Sequence, residues 1–98
     1  MQIEVLEFTH PNKPLPGILA IARVRLSSGG EHVELNDLRV IRNKKGELFV
    51  GVFNYMRDGQ YLPTITFTRK LKFLIDEAVL PAVEKWLGAQ SAQEVSRG

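Results

Sequence analysis

Apolar and polar residues alternate through most of the first half of the chain, and a helical period takes over only near residue 70. Over residues 17–26, Ile18, Ala20, Ala22, Val24 and Leu26 fall on one face and Leu19, Ile21, Arg23 and Arg25 on the other, which predicts a strand. Residues 2–8 are apolar and partly β-branched and predict an earlier strand. It ends at a loop over 10–17, where Pro11, Pro14 and Pro16 exclude helix. Ser27-Ser28-Gly29-Gly30 is a turn cluster. A two-residue Gly29-Gly30 turn of the primed type sets Leu26 opposite Val33, Val24 opposite Leu35 and Arg25 opposite Glu34. The alternative, Ser28-Gly29, would set Leu26 against Glu31, so matching apolar with apolar favours the first register. A third strand over 32–42 loses its alternation at Asn36-Asp37, the mark of a bulge or bend. A three-residue loop ending at Gly46 then places Val40 opposite Val50 and Leu38 opposite Val52, with a fourth strand over 48–53. In that register Arg39, Ile41, Phe49 and Phe53 share the second face. A face half apolar in this way calls for cover by the helix, a partner subunit or a ligand.

Residues 54–63 read as a loop holding the turn pair Asp58-Gly59, and 64–67 as a short fifth strand. The helix begins at a cap, Thr66 or Thr68, and Leu71, Leu74, Ile75, Ala78, Val79, Ala82, Val83 and Trp86 follow the 3.6 period. Phe73, Leu80 and Leu87 form a second stripe that must widen the first face or find another surface. Pro81 is expected to kink or interrupt the helix near Glu77, and Gly88 to stop it. The chain therefore reads as α+β: an antiparallel β-meander of four to five strands followed by one long C-terminal α-helix. It forms a single domain over 1–88, with a flexible tail over 89–98.

With 98 residues there is length for one small domain, and a core of that size gains from a dimer interface. No apolar run approaches the roughly 18 residues of a membrane-spanning helix. The start, MQIEVLEF, lacks the basic and apolar regions of a signal peptide. The absence of cysteine excludes disulfides, thiolate catalysis and cysteine-held zinc or iron–sulfur sites, and suits a cytoplasmic protein. The net charge of +2 is unevenly placed. Residues 39–72 hold eight basic and two acidic side chains, while the segments on either side are each net acidic. Such asymmetry suits an anionic partner.

Enzyme signatures are largely missing. His10 and His32 stand far apart, Asp76-Glu77 diverge around a helix axis, and no phosphate-loop or nucleophile-elbow pattern occurs. A non-enzyme without cofactor, metal or small-molecule substrate is expected. The basic block is more informative. Arg69, Lys70 and Lys72 at the helix start oppose the helix dipole at a cost of about 0.3–1 kcal/mol, and the free N–H groups there favour an anion. Lys44 and Lys45 sit at a hairpin tip within reach of a phosphate. The 53–61 loop interleaves aromatics with Arg57, and Tyr55 can stack on a base.

Three pieces of the chain, Asn36-Asp37-Leu38-Arg39-Val40-Ile41, Lys45-Gly46 and Leu48-Phe49-Val50, resemble the SpoVG (stage V sporulation protein G, septation regulator) family. Asp58-Gly59 and Ala78-Val79-Leu80 are similar to further pieces of its pattern, in the same order, over about residues 1–87. The chain departs from the family after Leu48-Phe49-Val50, where the usual basic pair is missing and Arg57 is the only cation of the loop. By position Lys72, with Arg69 and Lys70 nearby, matches the family's basic residues at the helix. The resemblance implies a small α+β protein, usually a homodimer, acting as a non-enzymatic DNA-binding and in some members RNA-binding regulator. The expected nucleic-acid site is Arg69, Lys70, Lys72, Lys44, Lys45, Arg57 and Tyr55. The competing expectation is a protein–protein interaction module that docks through the half-apolar sheet face or the Phe73/Leu80/Leu87 stripe.

Overall fold

The computed structural model describes residues 1–13 and 16–97, and of residues 91–97 the backbone alone. Six strands precede one helix: β1 (Gln2–Thr9), β2 (Ile18–Ser28), β3 (Glu31–Arg42), β4 (Leu48–Gly51), β5 (Asn54–Arg57), β6 (Gln60–Pro63) and α1 (Arg69–Arg97). The first four form an antiparallel sheet in the order β1-β2-β3-β4, and β5 and β6 form a separate two-stranded hairpin. The fold is α+β, as the alternation and the helical period predict. The loop over 10–17 is irregular where it is described, and Pro14 and Leu15 lie outside the described residues.

The turns dictate the registers. Gly29 and Gly30 have φ of 60° and 85°, the pair of positive angles a primed turn requires. Leu26 pairs with Val33, Arg25 with Glu34 and Val24 with Leu35 as that turn predicts. The register then shifts between Ala22 and Val24, so the bulge falls at Asn36-Asp37. Val40 pairs with Val50 across the turn closed by Gly46. β4 ends at Gly51, so the expected pairing of Leu38 with Val52 is not part of the ladder. The β2–β3 pair shifts again between Ile18 and Ala20, and a third irregularity, between Val5 and Glu7, returns Phe8 to the core face.

One face of the sheet carries the core. Ala20, Ala22, Val24, Leu26, Leu35, Leu38, Val40 and Val50 are buried with Ile75, Val79 and Val83 of α1. The helix touches both edge strands, β1 and β4. Its two apolar stripes separate: Leu80 and Leu87 widen the packed face, whereas Phe73 stays 59% exposed.

Four further expectations are corrected. Residues 54–63 are a hairpin rather than a loop: Asp58 and Gly59, at φ 51° and 79°, make the primed turn between β5 and β6. Residues 64–67 are not a strand. The Thr64 N–H and hydroxyl both donate to the Phe53 carbonyl, closing the hairpin base, and the chain then runs without a strand partner to the helix. Pro81 does not interrupt α1; it lies exposed within a continuous helix. Gly88 does not stop it either, because the helical backbone continues to Arg97. The side chains of the segment read as a tail, from residue 91 on, lie outside the described residues.

Candidate nucleic-acid interface

Thr68 begins the helix. Its hydroxyl accepts the Leu71 N–H at 3.3 Å and its carbonyl accepts the Lys72 N–H at 2.9 Å, which makes it the cap rather than Thr66. No acidic side chain occupies the first turn. Arg69 and Lys70 are exposed cations beside the first-turn N–H groups that Thr68 does not bond, and neither makes an ion pair among the described residues. Lys72 differs. Its Nζ lies 2.6 Å from Asp76 Oδ1, one turn on, so much of its charge is spent within the helix.

Lys44 and Lys45 are exposed at the tip of the β3–β4 turn. Asn43 shapes that turn, its Oδ1 accepting the N–H groups of Lys45 and Glu47, both at 2.9 Å. The tip and the helix start stand at opposite ends of the sheet. Met1, Thr68, Lys70 and Leu71 line one hollow, at the end where Gln2 pairs with Ser27 beside the β2–β3 turn. At the other end, Trp86 packs on Phe8 and His10, and Arg42 bonds back to Gly17 just before the lysine turn. The expected basic residues thus form two separate groups rather than one surface.

Tyr55 and Arg57 are brought together, two residues apart on one face of β5. Met56 and Tyr61 pair across the other face, 59% and 71% exposed. All four residues of β5 are exposed, so this hairpin stands clear of the core.

The uncovered face of the main sheet is divided. Toward one end Arg23 contacts Glu7 at 3.0 Å, Glu34 at 3.5 Å and the Asn36 amide oxygen at 3.1 Å, and Arg25 contacts Glu34 at 3.1 Å. The hydrogen bond from Arg25, helped by the charges of Arg25, Arg23 and His32, holds the Glu34 carboxyl below the usual range against the opposing effect of burial. Each of these four charged groups has an ion-pair partner, although the Arg25 Nε is buried without a hydrogen bond. Farther along, the Arg39 guanidinium lies 3.1 Å above the centre of the Phe53 ring. It shares a cleft of about 400 Å³ with Asp37, Ile21, Thr9 and the start of the 10–17 loop. Burial pushes the Asp37 carboxyl up, and the charge of Arg39 opposes that shift. Sequence reasoning placed Arg39 and Phe53 on this face but missed the cleft. The signal was the Asn36-Asp37 slip, which turns Asp37 onto the same face as Arg39.

His10 and His32 lie on different elements, and no cluster of metal-ligating side chains occurs among the described residues. No described helix is long and apolar enough to cross a membrane. Comparison with protein-family models, curated proteins and solved structures finds no match.

Proposed function

We propose that this chain is a non-enzymatic, cytoplasmic regulator that binds nucleic acid as a homodimer, the role implied by its resemblance to the SpoVG family. The observation that carries the reading is the sorting of charge. The cations of the uncovered sheet end are neutralised by Glu7 and Glu34, while Arg57, Arg69, Lys70, Lys44 and Lys45 are exposed and unpaired among the described residues. Exposed cations beside a helix N-terminus suit phosphate oxygens. A second protomer would double both basic groups on one duplex or strand. Tyr55 beside Arg57 adds a stacking surface for an unpaired base.

The test compares two double reversals by fluorescence anisotropy with labelled DNA and RNA. Arg69→Glu with Lys70→Glu is expected to weaken binding by at least tenfold, and Lys44→Glu with Lys45→Glu to weaken it less. Unchanged affinity in a folded Arg69/Lys70 variant refutes the reading. The exposed Met56–Tyr61 pair supports one rival, docking of another protein through the hairpin.

A further inference from the structure

Arg39 and Asp37 are charged side chains of the uncovered sheet face that line its cleft and that the protein leaves unmatched; Glu4, also without an ion pair among the described residues, lies away from the cleft beside Arg25. Among the described residues Arg39 makes no ion pair and donates no side-chain hydrogen bond, and its Nε is buried without a partner. Their neighbours Arg23, Arg25, Glu7 and Glu34 are all ion-paired, although the Arg25 Nε is likewise buried without a hydrogen-bond partner, so the missing ion pair is what sets Arg39 apart. Asp37 and Arg39 flank the buried Leu38 on β3, so both project to the cleft, yet no ion pair joins them within 4 Å. The cleft is thus open between a carboxylate that needs donors and a guanidinium that needs acceptors. Phe53 holds the guanidinium plane from one side, and Ile18 and Ile21 supply apolar walls. Its volume of about 400 Å³ lies in the range of small-ligand pockets.

We infer that this cleft binds an unpaired guanine base, with Arg39 donating to its O6 and N7 and Asp37 accepting from its N1–H and exocyclic amino group. Guanine presents two acceptors on one edge and two donors on the next, matching an arginine fork and a carboxylate on neighbouring same-face positions. Adenine and cytosine offer fewer matched pairs, and the carboxylate meets the carbonyls of uracil and thymine unfavourably. The inference deepens the nucleic-acid reading by naming the base that an arriving strand would insert.

The experiment has two arms. In the first, the protein is titrated with GMP, AMP and CMP and followed by NMR shifts of Phe53 and the Arg39 side chain. GMP is expected to bind at least about tenfold more tightly than the others. Asp37→Asn and Arg39→Lys, checked for folding by circular dichroism, are expected to abolish the preference. Absence of GMP binding, equal binding of AMP, or an unchanged preference in folded Asp37→Asn overturns the inference. In the second arm an oligothymidine strand, with and without one central guanine, is followed by anisotropy. Binding of both strands with equal affinity, and no GMP response, overturns the guanine site while the phosphate-binding reading stands. A selective GMP response without binding of either strand supports the site and refutes the nucleic-acid reading.

Discussion

Ile75→Ala and Phe73→Ala together test how the helix is seated. Ile75 is fully buried beneath the sheet, and Phe73, two positions away, is 59% exposed. Ile75→Ala removes three carbons, worth about 2.5 kcal/mol in transfer free energy, and the cavity left behind raises the cost to about 3–4 kcal/mol. Phe73→Ala removes more atoms but few contacts, and should cost no more than about 0.5 kcal/mol. The native stability of a domain this size is about 5–15 kcal/mol, so the first variant loses a large share of it and the second almost none. Urea denaturation followed by circular dichroism, at a low protein concentration and again at a tenfold higher one, reads both. A cost for Phe73→Ala equal to that of Ile75→Ala at both concentrations would refute the helix orientation. A cost that appears only at high concentration would place Phe73 between two protomers.

Other substitutions probe local devices. Gly17→Ala is expected to cost about 1–2 kcal/mol in urea denaturation, because Gly17 sits at φ 81° and a Cβ would lie 3.2 Å from the Arg42 carbonyl oxygen. Thr68→Ala should cost about 1 kcal/mol by the same assay and Thr68→Ser little, since the hydroxyl caps the helix. Stability followed from neutral to acid pH should respond oppositely to two carboxyls. Glu34, whose carboxyl is lowered in the fold, contributes stability above its unfolded pKa and loses it as pH falls through the folded value, so Glu34→Gln flattens the acid limb. Asp37, raised by burial, costs stability as pH rises above its unfolded pKa, so Asp37→Asn stabilises the protein at neutral pH.

The main sheet was legible because its pairs carry chemistry on both faces. Leu26 with Val33, Val24 with Leu35 and Arg25 with Glu34 agree in only one register, and a slip of one residue would spoil every pair. The β5–β6 hairpin was not legible, because strands exposed on both faces have no burial period to read. Only Asp58-Gly59 marked it. Pro81 and Gly88 misled for a related reason. Both are exposed in α1, where packing through Ile75, Val79 and Val83 outweighs a missing hydrogen bond and the roughly 1 kcal/mol helix cost of a glycine. At the candidate site, the i,i+4 spacing of Lys72 and Asp76 was visible in the sequence, and it explains why Lys72 is the least available of the expected cations. The separation of Lys44 and Lys45 from Arg69 and Lys70 depends on how helix and sheet run past one another, which no local pattern encodes.

The salt dependence of nucleic-acid affinity tests the central claim most directly. Anisotropy of a labelled duplex, titrated from low to physiological salt, should show log affinity falling linearly with log salt. At about −0.9 for each phosphate neutralised, a dimer engaging the duplex through Arg69 and Lys70 alone would give a slope of about −3.6, one engaging it through all five proposed contact residues about −9, and a single bound protomer half of each. No binding at low salt, or affinity indifferent to salt, would contradict a phosphate-binding surface on this protein.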